Sequence, residues 1–121
     1  MPGRVARGLV VDVNLDPSVG REIMKTRPCV VVQNDVVNRI SQLTIVAAMT
    51  SAENVTKINP KPPPIFVFVA KGDGGILKDS YILCNQIRTV DESRLGKTYG
   101  TLPQKVMDEL DRALRISLSL L

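Results

Sequence analysis

Three features of the sequence predict a mainly β domain closed by one C-terminal helix. Short apolar, β-branched runs recur along the chain, among them Leu9-Val10-Val11, Val30-Val31-Val32 and Phe66-Val67-Phe68-Val69. Such runs, bounded by polar turns, read as strands. Clusters of Gly, Pro, Asn and Asp separate them and interrupt any longer regular element. Only after Thr101 do apolar residues recur at helical spacing over several turns. Strands this short and numerous suit a small, strongly curved barrel.

Taken in order, residues 7–13 are the first strand, and Asp16-Pro17 and Gly20 turn the chain after it. Residues 21–26 continue as a polar, partly basic loop. The second strand is entered through Arg27-Pro28. Pro28 can forgo a ladder hydrogen bond at a strand's start, and it biases Arg27 toward extended backbone. Residues 33–42 are polar and Asn-rich, too broken by turn formers for a strand. Residues 43–49 are the next strand, which Thr50-Ser51 end.

Asn59-Pro60-Lys61-Pro62-Pro63-Pro64 reads as an exposed, stiff connection, because prolyl nitrogens have no hydrogen to give a sheet or helix. Residues 65–70 form a strand, and Lys71-Gly72-Asp73-Gly74-Gly75 a hairpin turn. No Gly-Lys-Ser/Thr follows these glycines, so they are not a phosphate loop. Residues 80–84 and 87–90 are strands interrupted at Asn85-Gln86, the mark of a bulge or an exposed polar pair. Asp91 can cap a short helical turn through Leu95. In the last helix Thr101 and Gln104 have capping-box spacing, with Pro103 in the tolerated first turn. Val106, Met107, Leu110, Ala113, Leu114, Ser117 and Leu118 form its core-facing stripe. Asp108 with Arg112, and Asp111 with Arg115, are spaced to pair on the opposite face.

The whole chain narrows the function. Its 121 residues make a single domain, 1–121, able to bury a core without staples. A formal charge of +4 makes nucleic acid the first specific partner to consider. Phe66, Phe68, Tyr81 and Tyr99 are the only aromatics, too few for a platform that stacks several bases. Phosphate and polar contacts would carry such binding. Histidine is absent, which excludes Ser-His-Asp and Cys-His catalysis, paired-histidine ribonuclease chemistry and the usual histidine metal sites. Cys29 and Cys84 lie in apolar runs and read as buried reduced thiols. No stretch approaches the ~18 apolar residues that span a bilayer. Met1-Pro2-Gly3-Arg4 opens no apolar leader, so the protein is most simply cytoplasmic.

Arg27 stands at the mouth of a sheet on stiff backbone, a good place for an anion-binding group. Alone, it reads as readily as a surface arginine at a strand end. Five words in order change this: Asp16-Pro17-Ser18-Val19-Gly20-Arg21-Glu22, Thr26-Arg27-Pro28, Asn34-Asp35 with Asn38-Arg39, Ala47-Ala48-Met49-Thr50-Ser51, and Gln86-Ile87-Arg88-Thr89-Val90-Asp91. With the terminal amphipathic helix, the set is similar to the MazF/PemK/Kid family of toxin endoribonucleases over nearly the entire chain.

The resemblance implies an SH3-like or CcdB-like (PemK-type) barrel acting as a homodimer. It implies metal-free cleavage of single-stranded RNA, messages above all, leaving a 2′,3′-cyclic phosphate and a 5′-hydroxyl, with no cofactor. It also implies a cognate MazE-like antitoxin that lays an extended segment along the dimer. By position, the family's two catalytic residues are Arg27 and Thr50. Ser18, Arg21, Glu22, Asn38, Ser51, Gln86 and Arg88 are the candidates for RNA contact. Glu22 is a base or else an ion-pair partner of Arg21 or Arg27; Arg88 either meets RNA or pairs with a carboxylate in the barrel. Some members have glycines where Met24-Lys25 stand, and others an Arg/Asp pair where Leu83 and Asn85 stand, so that extra pair is not carried over. The competing reading is a non-catalytic CcdB-like toxin that binds a protein such as DNA gyrase, but such a toxin has no use for Arg27 and Thr50 together.

Overall fold

A computed structural model describes residues 5–121. The strands are β1 (Leu9–Asn14), β2 (Thr26–Val31), β3 (Leu43–Ser51), β4 (Phe66–Val69), β5 (Ser80–Asp91) and β6 (Leu95–Thr101). The helices are α1 (Asp35–Ile40), α2 (Ala52–Ile58) and α3 (Gln104–Leu118). The strands form one antiparallel sheet in the order β4-β5-β3-β2-β1-β6. The mainly β architecture with a terminal helix is the one expected. Its outer strands β4 and β6 do not pair with each other, so the barrel is an open one. The reading of Met1-Pro2-Gly3-Arg4 concerns residues outside the described range.

Both faces of the sheet are buried. Val10 pairs with Val30, and Val30 with Ala47, in a row under α3. Val11, Cys29 and Ala48 form the neighbouring row on the other face, with Val13, Val31, Val46, Val90 and Leu95. No helix contributes to that second cluster, so the sheet curls and buries this face against itself. Burial on two faces is why β2 reads as a continuous apolar run instead of an alternating one.

The bulge flagged at Asn85-Gln86 is present. Ala47 pairs with Ile87 but the next residue, Ala48, pairs with Leu83, leaving Cys84, Asn85 and Gln86 looped out of the ladder. The kink lets one long strand serve both β3 and β4. Asp91 caps its short turn as expected, accepting from the Ser93 amide at 2.8 Å. The β4–β5 connection turns at Asp73–Gly75, where Gly74 and Gly75 take positive φ.

Several local expectations are corrected. The Thr101–Gln104 capping box does not form, because pairing with β1 draws Thr101 into β6; Gln104 donates to Asp108 instead. Asp111 binds Arg7 at 2.7 Å, tying α3 to the chain's start, and pairs with no residue of its own helix. Among the described residues Asp108 makes no ion pair with Arg112. The stripe Val106, Met107, Leu110 and Ala113 is core as expected, Ser117 donates to the Cys84 carbonyl, and Leu118 is half-exposed. Short helices α1 and α2 fall in stretches where the sequence suggests no regular element. Each is started by a cap, Asn34 accepting from Val36 and Ser51 from Asn54.

Candidate active site

Strand register brings Arg27 to Thr50. Cys29 of β2 pairs with Ala48 of β3, and the ladder ends there. Two residues back along β2 and two forward along β3, Arg27 and Thr50 fall opposite each other where the strands part. Arg27 Nη1 donates to Thr50 Oγ1 at 3.1 Å, and Arg27 Nε donates to the Met24 carbonyl at 2.9 Å. Both side chains are half-buried. The fork is thus held at two points, with Nη2 and one Nη1 hydrogen left over. No salt bridge involves Arg27 among the described residues.

The pair borders a cavity of about 330 Å³. Its floor is apolar, with Pro28, Met49, Ile76 and Tyr99; its rim carries Lys25, Arg27 and Lys78. No carboxylate lines it. Three cations against an apolar floor favour an anion with an apolar part, as a nucleotide has. Tyr99 donates to Asp12 at 2.7 Å, and burial with that bond pushes its phenol up to about 12. It remains a neutral wall of the cavity. Asn54 reaches Thr50, its Nδ2 lying 3.3 Å from Oγ1.

A second hollow, about 520 Å³, is lined by Arg21, Glu22, Ile23, Asn85, Gln86, Ile87 and Arg88. Here the β1–β2 loop meets the β5 bulge, the Ile23 amide donating to Gln86 Oε1 at 3.3 Å. The structure therefore groups Arg21, Glu22, Gln86 and Arg88, but not around the Arg27 cavity. Glu22 pairs with neither arginine; it accepts from the Val19 amide at 2.7 Å and shapes its own loop. Ser18 likewise serves the loop, donating to the Leu15 and Ile23 carbonyls. Arg88 finds no carboxylate, donating to the Leu15 carbonyl at 2.7 Å. Ser51 lines the first cavity while capping α2.

Asn38 is the one candidate the structure withdraws. It is 7% exposed and its amide is spent inside the fold. Its oxygen accepts from Gln33 and Thr44, each at 2.8 Å, and its nitrogen donates to the Gln33 carbonyl and to Asp35. No group is left to read a base edge.

Residues 6–118 match the model of the PemK-like, MazF-like toxin of type II toxin–antitoxin systems. The chain belongs to that family. A relative named endoribonuclease EndoA, from Bacillus subtilis (strain 168), is 41% identical over 117 residues, covering 97% of both chains. Endoribonuclease MazF of Staphylococcus epidermidis is 41% identical over 116 residues, 96% of this chain and 92% of that one. Among solved structures, MazF from Deinococcus radiodurans superposes with a TM-score of 0.75 at 23% identity, covering 94% of this chain and 96% of that one. A mycobacterial endoribonuclease in complex with its cognate antitoxin gives 0.75 at 21% identity, covering 95% of each. Those two likenesses concern the fold.

In this MazF-like chain the cysteines stay out of the site. Burial pushes the Cys29 thiol up to about 12 and the Cys84 thiol to about 11, so neither is a nucleophile at neutral pH. Among the described residues no His, Cys, Asp and Glu side chains gather as a metal site, and no helix is long and apolar enough to cross a membrane. Lys25, Lys78, Asn54 and Tyr99 are among the cavity residues that sequence reading missed.

Proposed function

We propose that the protein is an endoribonuclease toxin that cleaves single-stranded RNA, messages above all. In this reading it needs no metal, works as a cytoplasmic homodimer and is held in check by a cognate MazE-like antitoxin. The observation that carries the reading is the Arg27–Thr50 contact at 3.1 Å, at the head of a cavity with a cationic rim. Close relationship to proteins named as endoribonucleases supports it.

The chemistry suits a site without histidine. The RNA's 2′-hydroxyl oxygen attacks the adjacent phosphorus as its proton departs, the P–O5′ bond breaks as the leaving 5′-oxygen takes up a proton, and the products are a 2′,3′-cyclic phosphate and a 5′-hydroxyl. The protein need supply no nucleophile. It must align the attacking oxygen with the leaving one and stabilise charge on the phosphoryl oxygens. Arg27 does the second with its free Nη hydrogens, a fork that remains charged throughout. A guanidinium gives up a proton too reluctantly to shuttle one, so its role is electrostatic. Thr50 holds the fork and offers its hydroxyl to the phosphate. Lys25 and Lys78 receive neighbouring phosphates, and the Arg21–Arg88 hollow takes a flanking nucleotide.

The deciding experiment uses purified protein, excess EDTA and a mixed-sequence single strand as RNA and as DNA. Cleavage of the RNA alone, with cyclic-phosphate ends, is the expected result. Intact RNA at low salt would overturn the reading in favour of a toxin that binds a protein.

A further inference from the structure

Thr50 Oγ1 is the centre of a small hydrogen-bond pattern of which the Arg27 contact is only half. It accepts from Arg27 Nη1 at 3.1 Å and from Asn54 Nδ2 at 3.3 Å. A hydroxyl has two acceptor positions and one hydrogen. Both donors here have no acceptor lone pair to offer in return: a guanidinium has none, and an amide nitrogen has none. Both of the hydroxyl's acceptor positions are thus filled, and its hydrogen turns away from both partners. Thr50 donates to no group among the described residues, and it lines the cavity.

Asn54 is itself firmly placed. It sits in the first turn of α2, where its own amide is held by Ser51 Oγ at 3.2 Å. The helix start is fastened to the start of β5, since the Ala52 amide donates to the Asp79 carbonyl at 2.8 Å. Position 54 is therefore fixed relative to β3, and its side chain reaches back one turn onto Thr50.

We infer that Asn54 is a positioning residue which, together with Arg27, fixes the Thr50 hydroxyl as a donor aimed into the cavity, toward a non-bridging phosphoryl oxygen. The inference rests on the proposed RNA cleavage. Without Asn54 the hydroxyl regains a free acceptor position and can turn, so its hydrogen points at the phosphate for only part of the time. The loss falls on the chemical step, where charge on the phosphoryl oxygens grows, more than on binding.

The test compares parental protein with Asn54→Ala and Asn54→Asp. Single-turnover cleavage is measured beside affinity for a strand carrying a 2′-deoxy nucleotide at the cleavage site. Asn54→Ala should slow cleavage about tenfold, the scale of one hydrogen bond, with affinity unchanged. Asn54→Asp, of equal size but offering an acceptor, captures the hydroxyl's hydrogen and slows cleavage at least as much. Substituting sulfur for each non-bridging oxygen in turn gives a second readout. The slowing at the oxygen served by Thr50 should shrink in Asn54→Ala to the value in Thr50→Ala. Cleavage by Asn54→Ala at the parental rate, or a loss confined to affinity, overturns this inference alone. Parental protein that cuts no RNA overturns the nuclease reading itself.

Discussion

Gly75 lies directly against the backbone of Tyr99. A Cβ built at Gly75 would stand 2.8 Å from the Tyr99 carbonyl carbon and closer still to its oxygen, and the residue's φ is +78°. Backbone cannot yield as a flexible side chain does, so this contact sets the distance between the β4–β5 connection and β6. It also sets the cavity, since Ile76 follows Gly75 and lines it together with Tyr99. Gly75→Ala should cost at least about 2 kcal/mol in urea unfolding. Gly20→Ala is the control: its φ is +59° but nothing stands within 4 Å, so only the ~1 kcal/mol of a left-handed conformation is lost. Equal losses at the two positions would refute the close-approach argument.

Asn38 predicts a variant with a structural and not a recognition defect. Its amide joins Gln33, Asp35 and Thr44, and the hydrogen bonds from the Arg7 amide and from Asn38 hold the Asp35 carboxyl below its ordinary value of 3.8. Asn38→Ala strands the buried Thr44 hydroxyl and should destabilise the fold by about 2 to 4 kcal/mol. The RNA sequence cut by the folded fraction should be that of the parental protein. A change of target sequence with stability intact would return Asn38 to the RNA-contact set.

The contrast between Asn38 and Arg27 marks what was legible in the sequence. Arg27 and Thr50 end two apolar runs, so recognising the strands was enough to place both at strand ends. Asn38 lies in a polar stretch, where nothing in composition distinguishes an exposed amide from one folded inward onto Thr44. The same limit hid β6, whose Leu95-Gly96-Lys97-Thr98-Tyr99-Gly100-Thr101 has no strand pattern and is extended because it pairs with β1. With β6 hidden, Thr101 looked like a helix cap. Lys78 and Asn54 were out of reach for a related reason: they join the site through the β4–β5 connection and α2, whose positions depend on tertiary contacts.

Tyr99 makes stability sensitive to alkali. Burial, the hydrogen bond to Asp12 and the Asp12 charge raise its phenol from 10.0 to about 12. A group that holds its proton more tightly when folded stabilises the fold fully below its unfolded value. That contribution is lost as pH rises from 10 toward about 12. Tyr99→Phe should lower stability by about 1 kcal/mol at neutral pH, the worth of one hydrogen bond. Its urea midpoint should then fall less than the parental one between about pH 9 and about pH 11. Parallel midpoint curves would show that Tyr99 ionises alike in both states.

The cavity's cations should separate chemistry from binding. Arg27 holds Thr50 at the cavity where the proposed reaction would set its phosphate, whereas Lys78 stands on the rim without a side-chain partner among the described residues. Arg27→Ala and Thr50→Ala should fold normally and lose cleavage by about a hundred-fold or more. Arg27→Lys should recover only part, since a point charge cannot replace a fork fixed at Met24 and Thr50. Lys78→Gln should weaken affinity for the 2′-deoxy strand while sparing the single-turnover rate. Plotted against log salt, log affinity for that variant should be shallower by ~0.7 for each phosphate it no longer neutralises. Arg27→Ala and Thr50→Ala that cut at the parental rate would displace the site from this cavity. An unaltered salt slope in Lys78→Gln would remove Lys78 from the path of the RNA backbone, leaving Lys25 and Arg27 as the cavity's phosphate contacts.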